Sequence, residues 1–533
     1  MARRIFYVTS TVIIVGTAAI AMLWLPILWT LILTAPVIAL GFWDVNQKRR
    51  TILRNFPVIG HGRYLLEMIR PEIMQYFIED NQEGRPVNRE QRSIVYQRAK
   101  RSLASLPFGT QLNVYDEGYE WIAHSMVPTT PPHEQPRIRI GSPDCSRPYD
   151  ASVLNISAMS FGSLSYAAIR ALNGGAKLGA FYHNTGEGGV SDHHQAPGGD
   201  ICWQIGTGYF GCRAADGGFD PDLFKETCAI EQIRLIEIKV SQGAKPGHGG
   251  ILPASKITPE IARIRNVPLG QDVISPPSHR TFSTPIGLLE WVGQLRQLSG
   301  GRPVGFKLCI GKRREFLAIC KAMLATGITP DFISVDGGEG GTGAAPLEFS
   351  NRLGSPLTEG LVFVHNALVG FGLRDHVKVI ASGKVFSAFD IVKRLAIGAD
   401  LVCSARAMMF AVGCIQALRC NSNDCPTGVA TQDPDLISGL DIDDKTKRVH
   451  AYHEETVKAL MHILGAAGLT HPNQLRPWHI HRRISPFEVR HYGEIYEYIE
   501  HGALLNPKDL PASYARATLA AQAESFGHSG IGI

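Results

Sequence analysis

The sequence of 533 residues is long enough for two or more domains, or for one α/β barrel with extensions. Its net charge of +5 comes from 53 basic and 48 acidic side chains, and so mild a balance gives no indication of a nucleic-acid-binding protein. The ten cysteines lack the paired spacings of a small secreted disulfide framework, which favours a reducing compartment.

The first segment, residues 1–50, is apolar enough to enter a membrane. Residues 5–43 contain no Asp, Glu, Lys, Arg or His, and these 39 residues exceed the about 20 that cross a hydrocarbon core once. The sequence therefore predicts a hairpin of two short transmembrane helices, broken near Pro26. Basic residues at 3–4 and 48–50 flank the hairpin, so both of its ends are expected to face the cytoplasm.

Two other interpretations of this segment stay open. A signal peptide would be cleaved near Ala19 and Ala21, whereas a single long helix would cross the membrane at a tilt. Because the apolar sequence continues far beyond the usual core of a signal peptide, we expect an uncleaved anchor. It would hold a catalytic domain on the cytoplasmic side of the cell or inner membrane.

Residues 51–150 show mixed patterns. Helical periodicity extends from Arg63 to Glu79, and a polar break follows over residues 81–88. No apolar alternation is sustained enough to predict a sheet. We expect a helical wrapping or lid segment.

Residues 151–435 repeat a strand-then-helix rhythm. Most intervals between the apolar runs have room for a helix, as at 166–178, 316–325 and 388–396. Eight such units predict a (β/α)8 TIM barrel, and a doubly wound open sheet is the alternative. The eight predicted strands are 153–159, 180–183, 201–205, 235–240, 304–308, 332–335, 377–381 and 401–404.

Glycine-rich turns follow several of these strands. In a barrel they would meet at the C-terminal rim of the strands, where active sites form and phosphate groups commonly bind. Glycine lets backbone N–H groups approach phosphate oxygens closely. The turns are 157–162, 184–189, 243–250, 336–343 and 382–384.

Cys414, Cys420 and Cys425 form a Cys-x5-Cys-x4-Cys array that is closed by Pro426. Thiolates in such runs hold iron–sulfur clusters, and three ligands favour a 3Fe-4S cluster or a 4Fe-4S cluster with one exogenous ligand. Zinc is less well supported, because structural zinc usually has four protein ligands. Three inert buried thiols are the remaining alternative. After the array, residues 436–533 predict a C-terminal helical extension with helices at 446–465 and 488–500.

Five stretches of the sequence carry a resemblance to a known family. In order and spacing they are similar to the FMN-binding synthase domain of glutamate synthase, over roughly residues 100 to 435. From Arg54 onward, the chain resembles the stand-alone FMN-binding glutamate synthase family proteins. The five stretches are 184–189, 236–247, 274–277, 336–346 and 413–432.

The resemblance implies an FMN-bearing barrel with an adjacent 3Fe-4S cluster. Its activity would be glutamate biosynthesis, from 2-oxoglutarate through 2-iminoglutarate. Lysines near a flavin stabilise its anionic reduced form, and rim ion pairs are the alternative role for them. By the resemblance, the flavin would contact Met159, Ser160, Lys239, Gln242 and Lys307, and its phosphate would lie between Gly341, Thr342, Gly383 and Lys384.

The same resemblance implies the residues around the substrate. Lys245 and Arg265 match positions that hold the oxo-acid carboxylates, for which Arg offers a bidentate fork and Lys a point charge. Glu187 matches an acidic residue beside the reacting centre, so Glu187 and Lys245 are the expected catalytic pair. The three cysteines of the array match the cluster ligands. The alternatives are a solvated helix residue for Arg265 and a loop cap for Glu187.

The sequence also departs from the family pattern. It begins without the nucleophilic cysteine of an amidotransferase domain and shows neither a long C-terminal β-helix nor a separate nicotinamide-binding domain. Ammonia is therefore expected to be free or supplied by a partner subunit, and electrons to come from a donor protein. His248 and Ile251 replace the Glu and Gln of the family motif, which should shift substrate specificity.

Three functions are consistent with the sequence. The first is a glutamate synthase-type oxidoreductase. The second is an FMN-dependent oxidase of an amine or amino acid, such as an N-substituted glutamate, that passes electrons to a membrane carrier. The third is a nonenzymatic redox subunit of a membrane complex, in which the site at Lys245 and Arg265 would be vestigial.

Overall fold

The computed structural model describes residues 1–102, 105–130 and 134–527, and it separates into two units, Met1–Glu90 and Gln91–Ile533. The first unit is entirely helical in its regular structure. It contains helices α1 (Ala2–Ala21) and α2 (Leu31–Asn46), a 3-10 segment between them (Leu25–Thr30), α3 (Thr51–Asn55), α4 (Gly60–Ile73) and a π-helical turn (Met74–Ile78).

Helices α1 and α2 fold back on each other as a hairpin. The ring of Phe6 lies 5.4 Å from that of Phe42 and directly over Gly41, where any side chain would collide with it. The chain leaves the helical conformation just before Pro26, as the sequence predicts. Helix α1 has 20 residues with a mean hydropathy of 1.6, and α2 together with the preceding 3-10 segment has 22 residues with a mean hydropathy of 2.1. Both stretches are long enough and apolar enough to cross a membrane.

Short elements precede the barrel. They are helix α5 (Arg89–Ala99) and strands β1 (Glu120–Ile122), β2 (Arg137–Ile140) and β3 (Tyr149–Ser152). Strands β2 and β3 pair in antiparallel register, and β1 pairs with residues 480–482 far along the chain. The expectation that this segment contains no sheet is therefore wrong. Strands of three or four residues are too short to produce a readable alternation.

The second unit is built on a closed barrel of eight parallel strands, so the predicted TIM-barrel fold is confirmed. All eight predicted strands are present, each within a few residues of its predicted bounds. A separate pair, β8 (Ile251–Leu252) and β9 (Val273–Ile274), lies in the long connection after the fourth barrel strand. The barrel strands are β4 (Leu154–Ile156), β5 (His183–Asn184), β6 (Ile201–Ile205), β7 (Ile233–Lys239), β10 (Val304–Leu308), β11 (Phe332–Asp336), β12 (Lys378–Ser382) and β13 (Leu401–Ser404).

Helices connect the strands and cover the barrel. Their buried faces supply the apolar surface that stabilises a parallel sheet on its outer side. The connecting helices are α6 (Tyr166–Gly179), α7 (Asp192–Gln195), α8 (Pro221–Cys228), α9 (Pro259–Arg265), α10 (Pro285–Leu298), α11 (Arg313–Thr326), α12 (Leu347–Arg352), α13 (Leu357–Gly370), α14 (Ala388–Ala396) and α15 (Arg406–Val412).

The chain after the barrel is only partly helical. The helix predicted over 446–465 is confirmed, but the one predicted over 488–500 is wrong. There the chain forms a strand and a single helical turn, because pairing with β14 overrides the local helical pattern. The elements are α16 (Pro434–Ile437), α17 (Ile442–Ala466), β14 (Ile480–Ser485), β15 (Glu488–His491), α18 (Tyr492–Ile495) and α19 (Ala512–Ala520).

Helix α17 packs closely on α6 through glycine. A Cβ atom at Gly175 would lie 2.4 Å from a methyl carbon of Val449, and one at Gly174 would lie 2.7 Å from the hydroxyl of Thr446. Gly293 on α10 is different, because a Cβ atom there would meet only Ile328, at an ordinary contact distance of 3.5 Å. Substituting Gly175 and Gly293 by alanine therefore distinguishes the effect of tight helix packing from the effect of helix propensity.

We expect Gly175→Ala to lower the apparent melting temperature, since overpacking a tight contact costs about 1–3 kcal/mol. Gly293→Ala is the matched control and should leave the melting temperature unchanged or raise it, because alanine is favoured over glycine in helices by up to about 1 kcal/mol. Thermal unfolding followed by circular dichroism measures both. Equal effects of the two variants would contradict the close α6–α17 contact.

Candidate active site

The strand ends of the barrel bring two buried lysines side by side. Lys239 on β7 and Lys307 on β10 are register partners in adjacent parallel strands. Lys239 Nζ lies 2.7 Å from an Oε atom of Glu187, and Lys307 Nζ lies 3.1 Å from an Oδ atom of Asp336. Both lysines thus form rim ion pairs: Asp336 ends β11, the strand next to β10, whereas Glu187 follows β5, two strands away from β7.

Glu187 lies at the centre of the charged cluster. It occupies a 3-10 turn, Gly186–Gly188, that follows β5, and its carboxylate packs against Gly206 and Gly250. Burial raises the pKa of this carboxyl, but the charges of Lys239, Lys245 and Arg265 together outweigh burial and lower it. Glu187 is therefore held as a carboxylate.

Lys245 and Arg265, which the sequence predicts to bind the substrate, also lie in this cluster. Both are buried, with 3% and 4% of their surface exposed, so Arg265 is not a solvated helix residue. Burial lowers the pKa of Lys245 and lowers that of Arg265 to about 10, while Glu187 opposes the shift in both. With a pKa of about 10, Arg265 stays charged at neutral pH.

The guanidinium of Arg265 is not fully used by the protein. One terminal nitrogen donates to the carbonyl of Phe161 at 2.8 Å, and the group lies over the ring of Phe210. Its buried Nε atom has no hydrogen-bond partner within the described residues. Lys245 Nζ donates to the carbonyl of Ala344, in the loop that follows β11. Donor capacity therefore remains at the cluster for a bound anion.

Three predicted flavin contacts lie beside these charges. Met159 and Ser160 follow β4 and are half-buried, and their backbone approaches Gly186 so closely that a Cβ atom there would lie 2.7 Å from the Ser160 nitrogen. Ser160 Oγ donates to Ser163 Oγ at 3.0 Å. Gln242 is half-buried in the loop that leaves β7. The structure thus places all three at the same rim as Lys239.

The predicted phosphate-binding residues lie in two neighbouring loops. Gly341 and Thr342 are exposed in the loop after β11, and Gly383 and Lys384 follow β12 with positive φ angles of 144° and 43°. A Cβ atom at Gly383 would meet a methyl carbon of Leu357 at 3.5 Å and the Gly337 nitrogen at 3.7 Å, which are ordinary contact distances. Backbone of this kind fits a phosphate group.

The three cysteines of the array lie in the loop after α15. Burial raises the pKa of Cys414 to about 12 and also raises that of Cys420. Burial acts in the same direction on Cys425, but hydrogen bonds from Thr427 and from nearby backbone outweigh it and lower the pKa of that thiol. A stabilised thiolate fits the donor chemistry of a cluster ligand. Within the described ranges, no His, Cys, Asp or Glu side chains form a group of three that could hold a metal ion, so the cluster stays a prediction.

Lys256 connects this loop to the substrate side of the rim. Its side chain is buried, and Nζ donates to the carbonyls of Ser163, Cys420 and Ala430 at 3.4, 2.8 and 2.9 Å. Lys256 lies three residues before Pro259, the first residue of α9, the helix that bears Arg265. A single ammonium group thus joins three segments of the site.

Sequence reasoning missed Lys256, Asp336 and Glu237. Asp336 pairs with Lys307 and accepts the Gly243 N–H at 3.0 Å, and its place at the head of a glycine-rich turn was an available signal. Glu237 is buried inside the barrel, where it accepts hydrogen bonds from Asn184, Gln204 and Ser334. Glu237 falls within the predicted strand 235–240, where a carboxylate between apolar residues was an available signal, whereas no sequence pattern distinguishes Lys256 from surface residues.

His248 and Ile251, the positions at which the sequence departs from the family motif, follow Lys245 in the connection after β7. His248 Nδ1 donates a 2.8 Å hydrogen bond to the carbonyl oxygen of Gly249, and the His248 ring packs edge-on against Phe349. Ile251 begins β8 and is half-buried. This part of the rim thus carries an imidazole and an aliphatic side chain.

Comparison with known proteins assigns the chain to a family. Residues 143–470 match the family described as "Conserved region in glutamate synthase". The chain belongs to the glutamate synthase family. It is 37% identical to the glutamate synthase large subunit-like protein YerD of Bacillus subtilis over 82% of this chain and 90% of that protein.

More distant similarities cover less of this glutamate synthase family member. The archaeal glutamate synthase [NADPH] of Methanocaldococcus jannaschii is 34% identical over 60% of each chain, so this chain spans less than two thirds of that relative. Among solved structures, a mandelate oxidase mutant with an FMN adduct aligns at a TM-score of 0.41 and 14% identity, over 70% of this chain and 88% of the other.

We expect Glu187→Gln to destabilise the fold by about 3–5 kcal/mol, because it leaves three buried cations without their carboxylate. Asp192→Asn is the control, since Asp192 forms an exposed pair with Arg263 at 3.4 Å that should contribute less than about 1 kcal/mol. Urea unfolding at neutral pH measures both variants. A smaller effect of Glu187→Gln than of Asp192→Asn would contradict the cluster.

The effect of Glu187→Gln should also depend on pH. A carboxyl whose folded pKa is lowered stabilises the fold above its unfolded pKa of about 4.3, and this contribution is lost as pH falls through the folded value. The difference between wild type and variant should therefore shrink progressively below about pH 4. A difference that stays constant down to strongly acidic pH would mean that Glu187 is not ionised in the folded protein.

Proposed function

We propose that this protein is an FMN- and iron–sulfur-dependent oxidoreductase that converts 2-oxoglutarate and ammonia to L-glutamate through 2-iminoglutarate. The observation that carries the proposal is the buried cluster in which one carboxylate, Glu187, faces the cations of Lys239, Lys245 and Arg265. The cluster has a surplus of positive charge and lies at the strand ends where barrel enzymes bind substrates. Membership of the glutamate synthase family supports the same reaction.

The charges of the cluster suit a dicarboxylate. Arg265 is buried with an unpartnered Nε, so a carboxylate bound there would satisfy a donor that is costly to leave unpaired. Lys245 adds a second buried cation. Two carboxylates of one substrate would thus meet two separate positive groups, which orients the carbon between them.

FMN is the proposed cofactor. When bound, it supplies the hydride that reduces the imine carbon. Lys307 stays protonated, because Asp336 and Glu237 outweigh burial and raise its pKa, so it places a permanent cation beside the proposed ring site. The ring would also contact Met159, Ser160, Lys239 and Gln242, and the phosphate would lie against Gly341, Thr342, Gly383 and Lys384.

Glu187 is the proposed catalytic carboxylate, together with Lys245. Because the surrounding cations hold it ionised, it accepts hydrogen bonds and attracts the protonated amine that forms during the reaction. Its contact with Lys239 fixes its orientation. Ammonia would be free or come from a partner subunit, and electrons would come from a donor protein through a 3Fe-4S cluster held by Cys414, Cys420 and Cys425.

We further propose that α1 and α2 anchor the protein in the cell membrane, with the catalytic unit in the cytoplasm. Helix α1 and the stretch Leu25–Asn46, which contains α2 and the 3-10 segment before it, are long enough and apolar enough to span a bilayer. Basic residues flank them at both ends, as expected for cytoplasmic flanks.

Oxidation of an amine or amino acid is the second candidate. It is favoured by His248 and Ile251, which change the polarity of the loop that carries Lys245. An N-substituted glutamate would still use the carboxylate contacts of Lys245 and Arg265. Its electrons would leave through a membrane carrier.

The proposed reaction is tested by adding 2-oxoglutarate and ammonium anaerobically to the reduced, flavin-loaded protein. Flavin absorbance should return only with both substrates, and glutamate should form. Arg265→Gln should raise the KM for 2-oxoglutarate by about 10- to 100-fold, since a hydrogen bond to a charged group contributes about 1.5–3 kcal/mol. Arg263→Gln, on the same helix but 67% exposed, is the control and should leave KM unchanged.

Other results of these experiments would favour the second candidate or contradict the proposed function. Reduction of the oxidised flavin by an amine, without glutamate formation from 2-oxoglutarate, would favour the second candidate. Flavin that responds to neither substrate would contradict both enzymatic proposals. An equal rise in KM for both arginine variants would contradict the assignment of Arg265 to the substrate.

We expect Cys420→Ser to lower the iron and acid-labile sulfide bound per protein, because a serine hydroxyl is a poor ligand for an iron–sulfur cluster. Cys145→Ser is the control. That thiol lies outside the loop and donates to the Gly301 carbonyl, which a hydroxyl also does, so iron content should not change. Unchanged iron in Cys420→Ser would refute the ligand assignment.

A further inference from the structure

The helical segment Gly60–Ile78, formed by α4 and the π-helical turn, exposes an unusual amount of apolar surface. Phe77 is 85% exposed, Leu66 61% and Leu65 55%. At 1.5 Å per residue the segment is about 28 Å long. We propose that it lies in the headgroup region of the membrane that α1 and α2 cross, as an interfacial amphipathic helix. The inference rests on the proposed membrane anchor.

The apolar side chains follow the helical repeat. Leu65, Leu66, Ile69 and Ile73 recur at spacings of three and four residues, which places them on one face. Glu67 lies outside this face and pairs at 2.9 Å with Arg63, which lies at the edge of the face. An exposed apolar face backed by a charged face is the pattern of a helix that lies in a membrane interface.

The charge of the surrounding chain suits an anionic lipid surface. Five basic residues and no acidic residue lie between Asp44 and Glu67. Cytoplasmic leaflets are negatively charged, and each basic side chain near the surface contributes about 1 kcal/mol of attraction. The five residues are Lys48, Arg49, Arg50, Arg54 and Arg63.

Hydrogen bonds hold the start of this segment, and the turn before it, against the C-terminal end of α2. The buried carboxylate of Asp44 accepts the Val58 N–H at 2.9 Å and contacts the His61 ring nitrogen at 2.9 Å. Arg54 donates to the carbonyl of Val45 at 3.2 Å. Trp43, 73% exposed, marks the level at which aromatic residues meet the membrane–water boundary. The first turn of α4 is thus held at the depth where the hairpin leaves the hydrocarbon.

Site-specific photo-crosslinking of the full-length protein tests the inference. Benzoylphenylalanine replaces Leu66 or Phe77 on the apolar face, Glu67 on the charged face, or Leu33, a 77% exposed residue of α2. Each variant is reconstituted in vesicles of phosphatidylcholine and phosphatidylglycerol and irradiated. Lipid adducts are measured by mass spectrometry.

We expect lipid adducts from positions 33, 66 and 77, with about fivefold fewer from position 67 because the charged face points to water. Adducts at position 33 but not at 66 and 77 would overturn the inference while leaving the membrane anchor intact. Absence of adducts at all positions would overturn both. Cross-links from 66 and 77 to a second copy, or to another part of the same chain, would also overturn the inference.

Discussion

The carboxylate of Glu187, buried among the cations of Lys239, Lys245 and Arg265, is the interaction on which the active-site rim depends. Three cations removed from water would repel one another and lose their hydration, at a cost of several kcal/mol each. A single carboxylate offsets part of that cost, and the surplus positive charge requires a further anion. The need of the fold for charge balance and the proposed preference of the site for an acidic substrate therefore have the same origin.

Close backbone approach makes this cluster possible. Glu187 reaches its partners because Gly206 and Gly250 leave room for its side chain, and its own turn packs against the backbone of Ser160 through Gly186. Larger residues at these positions would separate the loops and lengthen the ion pairs. The glycine-rich turns thus serve the substrate side of the rim as well as the proposed phosphate site.

The sequence was sufficient to predict the barrel, because buried parallel strands are short continuous apolar runs and helices fill the intervals between them. Glycine-rich strand ends and the family resemblance also located the cluster of Glu187, Lys239 and Arg265. Strands β2, β3 and β15 were missed, since their pairing depends on partners that local patterns do not reveal. Lys256 was missed for the same reason: its three carbonyl partners are distant in sequence.

The carbonyl contacts of Lys256 have a consequence for biosynthesis. Two of its three partners, Cys420 and Ala430, lie more than 160 residues further along the chain, so they leave the ribosome long after Lys256 does. Until then, the lysine that precedes α9 has no way to be buried without a large desolvation cost. The rim that carries Arg265 is therefore completed only when the cysteine loop has been synthesised and has folded onto it. In a nascent chain, this part of the rim cannot be completed before Ala430 has been synthesised.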